Sequence, residues 1–206
     1  MCIAVLNSGK QISENDMYLM WLSNRDGAGL VWHDGVELRT LKMLVETDSD
    51  FIEFRNRYKK AFKEATSGVV IHFRMATTGE VHKLNCHPFY YEDRKGNVNA
   101  LVHNGMLQGY GNYNEFLPSA GITSTDTYNF IYKNMDKVNI YNPFEREKIE
   151  RLIGSYNKFI IMTDSGDVFI LNASSGVWLT DGNWYSNQNY VHFYNRSNYY
   201  KNYIKQ

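Results

Sequence analysis

A cysteine at position 2 is the first residue of this chain with chemistry to offer. Methionine aminopeptidase usually removes the initiator when the second residue is small, and Cys2 qualifies. The mature chain would then open with a thiol and a free α-amine on one residue. An α-amine has a reference pKa of about 7.7–8.0, so near neutral pH a useful fraction is unprotonated and can act as general base for the thiol. The plain alternative is that Cys2 is a small buried hydrophobe.

Three further clusters carry reactive or recognising groups. In His72-Phe73-Arg74-Met75-Ala76-Thr77-Thr78-Gly79, strand alternation puts His72, Arg74 and Ala76 on one face. A guanidinium held there can clamp a carboxylate through two parallel hydrogen bonds, with Thr77 and Thr78 adding hydroxyls; a surface ion pair is the ordinary alternative. In His103-Asn104-Gly105, the Asn104 amide and the unobstructed Gly105 N–H suit an oxyanion hole, although Asn-Gly is also a common turn. Asp126, in Ser124-Thr125-Asp126-Thr127, is either a first-turn carboxylate or an acceptor for an ammonium group. Taken together, the clusters offer a nucleophile, a carboxylate clamp, an oxyanion hole and an ammonium acceptor. Those roles fit an α-amino acid with a side-chain carboxamide, and glutamine is one. In Asn85-Cys86-His87-Pro88-Phe89, by contrast, adjacent Cys86 and His87 diverge in an extended segment and cannot pair with each other.

The elements that must position these residues follow from periodicity and turn signals. Cys2 to Leu6 reads as a buried strand, and Ser13 with Asp16 begins a helix running to about Ser23. A strand over Leu30 to His33 turns at Asp34-Gly35 into a partner over Val36 to Leu38. Phe51, Phe54, Tyr58, Ala61, Phe62 and Ala65 form the apolar face of a helix from about Ser49 to Ala65. Val69 to Phe73 is a strand, and Phe89 to Tyr91 pairs with Asn99 to His103. Helices over Thr125 to Met135 and Glu145 to Ile153 precede a hairpin of Lys158 to Thr163 and Asp167 to Leu171. This order indicates an α+β fold with mainly antiparallel sheets, and no repeat or linker divides residues 1–206 into separate domains. The stretch from Asn183 to Tyr203 holds six Asn and six Tyr, which reads as a late strand with a frayed tail or as a stacking surface for a partner.

Composition narrows the function classes. Lys plus Arg and Asp plus Glu are both 22, which removes the electrostatic excess of a nucleic-acid or membrane-surface binder. No apolar run approaches the roughly 20 residues of a membrane span, and the N-terminus lacks the basic and apolar regions of a signal peptide. An intracellular, cytoplasmic location is expected. Only two cysteines are present, so a disulfide framework is not expected.

The ordered pieces Met1-Cys2-Ile3-Ala4, Asn24 to Gly29, His72 to Thr77, Asn85 to Phe89, His103-Asn104-Gly105 and Thr125-Asp126-Thr127 resemble the class II glutamine amidotransferases, which are N-terminal-nucleophile hydrolases. The resemblance covers about the first two-thirds of the chain and implies a four-layer αββα sandwich. It implies Cys2 as nucleophile, Asn104 and Gly105 as oxyanion donors, Arg74 on the substrate carboxylate and Asp126 on its amine, with Thr77 in the binding segment. The reaction implied is γ-glutamyl thioester formation with release of ammonia, and it requires no cofactor or metal. Two departures stand out: Ile3 replaces a common Gly, and the loop often written His-Arg-Gly-Pro-Asp-Gly reads Leu22-Ser23-Asn24-Arg25-Asp26-Gly27. His87-Pro88-Phe89 is closer to the compact, stand-alone branch, which includes γ-glutamyl amidohydrolases and proteins found in phage genomes. With 206 residues the chain is short for a linked acceptor domain, so ammonia is expected to go to a separate acceptor or synthase subunit, or only to water.

Three other readings remain. Hydrolysis of a γ-glutamyl amide conjugate uses the same head-group contacts as hydrolysis of glutamine. A zinc protein could draw on His72, His82, Cys86, His87 and His103, but these lack the usual paired ligand spacing. A catalytically inactive member would serve as an interaction module.

Overall fold

The computed structural model describes residues 2–111 and 121–192. Two antiparallel sheets form its middle. The first, in spatial order, contains β3 (Leu38–Met43), β2 (Ala28–His33), β4 (Val69–Phe73), β1 (Ile3–Asn7), β10 (Trp184–Tyr185) and β9 (Val177–Trp178). The second contains β5 (Phe89–Glu92), β6 (Val98–Asn104), β7 (Lys158–Thr163) and β8 (Val168–Leu171). Helices α1 (Glu14–Ser23) and α2 (Asp48–Glu64) cover the first sheet, and α3 (Asp126–Asn134) and α4 (Pro143–Ile153) cover the second.

Side-chain alternation produces this layering. In β1, Ile3 and Val5 pack toward α1 and α2 beside Trp21, Phe54 and Ile71. Ala4 and Leu6 point the other way, meeting Val70, Ala100, Val102, Ile160 and Met162 between the sheets. A strand buried on both faces reads as continuously apolar, as Ile3-Ala4-Val5-Leu6 does. On the far side, Phe130, Ile149 and Ile153 from α3 and α4 close over Leu101, Phe159 and Ile161.

Local signals set the helix starts. Thr47 and Asp50 form a reciprocal capping box ahead of α2, and Ser13 accepts from the Asp16 N–H ahead of α1. Asn142 caps α4, with Pro143 at its first turn, two residues before the expected start. The expected strand over Val36 to Leu38 is a correction. The Asp34 carboxylate accepts from the N–H groups of Val36 and Glu37, extending the turn, and β3 begins only at Leu38. The late strand expected in the Asn/Tyr-rich stretch is β10, paired with β1 through Val5–Tyr185 and Leu6–Trp184. The remainder of that stretch and the residues after it, 193–206, lie outside the described residues, as does Met1. No helix among the described residues is long and apolar enough to cross a membrane.

Candidate functional site

Register brings the reactive groups to one end of the two-sheet stack. Ile3 of β1 pairs with Phe73 of β4, so Cys2 and the Arg74–Met75 segment leave the sheet together. The Cys2 Sγ lies 3.3 Å from both the N–H and the carbonyl oxygen of Met75. Across the sheet interface, β6 ends at Asn104, whose Nδ2 donates to the Cys2 carbonyl. The Asn104 Oδ1 is buried without a partner among the described residues, leaving an open acceptor in this corner. Burial pushes the Cys2 thiol above its usual value, opposed by the Met75 hydrogen bond and the Arg74 charge. A thiol held there needs a nearby base to become a nucleophile.

Gly105 follows Asn104 with φ +146, and a Cβ there would fall 2.1 Å from Asn157 Oδ1. Only glycine accommodates both the backbone angle and the close approach.

Arg74 is buried just beyond the end of β4. Its guanidinium donates to the carbonyls of Thr78 and Glu80 at 2.9 and 3.0 Å, and more weakly to Gly79 at 3.3 Å. The same loop reaches Asp126: Thr78 Oγ1 donates to its carboxylate at 3.0 Å. Asp126 also accepts from the N–H groups of Leu107 at 2.7 Å and Thr127 at 2.8 Å. Thr125 is the cap of α3, so Asp126 is the first helical residue, where a carboxylate is favoured by the exposed N–H groups. Of the two threonines, Thr78 therefore bonds Asp126, while Thr77 is exposed at the mouth.

Two connected spaces meet at Cys2. A narrow pocket of about 20 Å³ is lined by Cys2, Arg74, Thr77, Thr78, Gly105 and Asp126. A cleft of about 570 Å³ shares Cys2, Thr77 and Gly105 with it. Every residue singled out from the sequence for this chemistry thus borders the narrow pocket or, in the case of Asn104, touches Cys2.

Two neighbours carried no signal in the sequence. Asn187 donates its Nδ2 to the Cys2 carbonyl at 2.9 Å, and Ser186 bonds both the N–H and the carbonyl of Ala4. Beneath the pocket, three buried histidines gather from β4, β6 and the loop before β5. The Nδ1 atoms of His87 and His72 are 3.2 Å apart. His103 bonds Asn157 Oδ1 through Nε2 at 2.9 Å and Thr127 Oγ1 through Nδ1 at 2.7 Å, so both ring nitrogens have partners. Burial lowers all three below the ordinary histidine value, His72 to about 3. Among the described residues no group of three or more His, Cys, Asp or Glu is placed to hold a metal ion.

The loop that departs from the family pattern also has a definite arrangement. Arg25 turns away from the pocket, donating to the Glu46 carbonyl and lying 4.8 Å from the Trp21 ring centre. Asp26 faces the site side instead, accepting from the Ala76 N–H at 2.7 Å. Gly29 lies so close to the His87 carbonyl that a Cβ would fall 1.8 Å from its oxygen. Cys86, buried under Gly27, points toward the Met43 and His82 carbonyls and takes no part in the cluster around His87.

Two larger solved structures share the fold, and a third is less similar. Glutamine phosphoribosylpyrophosphate amidotransferase from B. subtilis, complexed with ADP and GMP, superposes with a TM-score of 0.53 at 20% identity, over 89% of this chain and 40% of that one. A structure described as the allosteric regulatory enzyme of purine biosynthesis gives 0.50 at 18% identity, over 89% and 40%. A predicted glutamine amidotransferase from Pseudomonas aeruginosa PA01 gives 0.41 at 18% identity, over 89% and 78%. This chain spans two fifths of the length of each of the first two, and the likeness to them is one of fold. No curated protein matches the sequence. The family model for class II glutamine amidotransferases matches residues 21–188. With most of its length matched, the chain belongs to the class II glutamine amidotransferases.

Proposed function

We propose that residues 1–206 act as one glutaminase-type domain in which Cys2, freed of Met1, attacks the side-chain amide of glutamine. The observation that carries this reading is the junction at Cys2. Its sulfur borders a pocket that also contains a buried guanidinium, Arg74, and a buried carboxylate, Asp126. Opposite charges on two walls suit the carboxylate and ammonium of an α-amino acid. The pocket is narrow, so admission of that head group exchanges the Arg74 bonds to the Thr78–Glu80 carbonyls for bonds to the substrate carboxylate. Asp126 similarly exchanges the Thr78 hydroxyl for the ammonium, and Thr77 lines the entrance.

In this mechanism the α-amine of Cys2 takes the thiol proton and the sulfur adds to the amide carbon. Asn104 Nδ2 and the Gly105 N–H stabilise the oxyanion. The C–N bond breaks, the amine returns its proton to the leaving nitrogen, and ammonia departs. Water then attacks the γ-glutamyl thioester, releasing glutamate and restoring the thiol. The ammonia passes to water or to a separate acceptor or synthase subunit. Family membership supports glutamine as substrate, and no cofactor enters any step.

The test is coupled detection of glutamate and ammonia from glutamine by the processed chain and by Cys2→Ala and Asp126→Asn. Equimolar products that vanish in Cys2→Ala are expected, with KM raised in Asp126→Asn. Release that survives Cys2→Ala would end the proposal.

A further inference from the structure

The cleft beyond Cys2 is far larger than ammonia requires. Its volume of about 570 Å³ is comparable with pockets that hold drug-sized molecules, whereas a water or ammonia occupies roughly 30 Å³. Met106, Leu107, Tyr110, Leu152 and Tyr156 supply its apolar wall. Met106, Leu152 and Tyr156 are 54, 53 and 88% exposed, so large apolar side chains stand in solvent on lining that the Arg74–Asp126 pocket does not share.

Among the described residues, the same cleft has one charged side chain, Arg151, on the last turn of α4. Its present partner is an exposed Glu147 at 3.2 Å, one helical turn back, a pairing worth little in water. The helix end adds little negative potential of its own, because Asn157 Nδ2 donates to the Ile153 carbonyl and Asn172 Nδ2 to that of Gly154. The guanidinium is therefore the charge that the described lining brings to this wall.

From these features we infer that the cleft is a leaving-group subsite for the amino-acid portion of a γ-glutamyl dipeptide whose second residue is apolar. This rests on the proposed Cys2 mechanism and names the substrate class that uses it. With the glutamyl head group between Arg74 and Asp126, the scissile bond lies at Cys2 and Gly105, which with Thr77 are common to both spaces. Whatever is bonded to the amide nitrogen then enters the cleft. An apolar side chain covers Leu152 and Met106, and its α-carboxylate faces Arg151. Chemically, the sulfur bonds to the γ-carbon, the C–N bond breaks, and the proton held by the Cys2 amine leaves on the amino group of the released amino acid. Water then cleaves the thioester to glutamate and free thiol.

The experiment measures kcat/KM of the processed chain for glutamine, γ-glutamyl-phenylalanine and γ-glutamyl-benzylamide, the last lacking the carboxylate. Expected is a preference for γ-glutamyl-phenylalanine over glutamine of about tenfold or more, the scale on which small apolar pockets discriminate. Leu152→Glu, at an exposed position that leaves folding intact, should reduce that ratio about tenfold. Arg151→Ala should lower the ratio of γ-glutamyl-phenylalanine to γ-glutamyl-benzylamide. Cys2-dependent turnover of glutamine with no preference for either conjugate, or a ratio untouched by Leu152→Glu, overturns the subsite and leaves the mechanism standing. No Cys2-dependent release from any of the three overturns both.

Discussion

Replacing Gly105 by Ala isolates the geometry on which the site depends. The residue sits at φ +146, where an L side chain costs about 1–3 kcal/mol. The added Cβ would fall 2.1 Å from Asn157 Oδ1 and 2.9 Å from His103 Nε2, so the Asn157 amide must move. That movement breaks the 2.9 Å His103–Asn157 bond between two buried groups, at about 1–3 kcal/mol for donors and acceptors left unpaired. The two contributions sum to roughly 2–6 kcal/mol. For a chain of this size, 1 kcal/mol shifts Tm by about 2–4 °C, so a fall on the order of 4–24 °C follows. Urea and thermal unfolding of wild type, Gly105→Ala, Asn157→Ala and the double variant give a complete cycle. With Asn157 truncated the main obstruction is gone, and Gly105→Ala should then cost about 1–3 kcal/mol less. A single-variant cost below about 0.5 kcal/mol, or an unchanged cost in the Asn157→Ala background, would refute the reasoning.

Three other outcomes are expected. Asn104→Ala should slow glutamine turnover by about 10²–10³ with little change in KM, and full activity would remove Asn104 from the oxyanion hole. Arg74→Ala should raise KM for glutamine strongly, measured by glutamate release, because a buried guanidinium bordering the pocket is lost; an unchanged KM would mean the carboxylate binds elsewhere. Burial holds His72 down to about 3, whereas in the unfolded chain it titrates near 6.5. The unfolded chain therefore binds a proton that the folded chain refuses, so this contribution to stability is level above about pH 7 and falls as pH drops from about 6.5 toward 3. The loss approaches about 1.4 kcal/mol per pH unit. Urea unfolding from pH 7.5 to 4.5 should show a shallower slope in His72→Gln, and equal slopes would count against it.

What the sequence made legible was the chemistry carried by distinctive residue types. Cys2, Arg74, Asn104-Gly105 and Asp126 stood out because each lies beside a strand end or helix start that local patterning marks, and the fold brings them to one corner. Asn187 did not stand out, because one Asn among six in the Asn183–Tyr203 stretch has no local mark; only the pairing of β10 with β1 carries it to Cys2. His72, His87 and His103 were grouped from the sequence only as zinc candidates; their buried packing against one another is set by long-range register, since they come from three separate segments, and among the described residues they are not placed to hold a metal ion. The misplaced start of β3 was a matter of turn chemistry: Asp34-Gly35 suggested a two-residue hairpin, while the Asp34 side chain organises a longer turn through Glu37. The cleft was not visible either, because its wall joins Met106 to the end of α4, elements far apart in the chain.

The most direct test of the N-terminal nucleophile is intact-mass measurement of the purified chain before and after 6-diazo-5-oxo-norleucine, a glutamine-shaped electrophile. Expected is a chain that has lost Met1 and gains a single adduct, absent from Cys2→Ala. A chain that keeps Met1 and stays unlabelled, or an adduct that persists in Cys2→Ala, would contradict the assignment of Cys2 as the nucleophile.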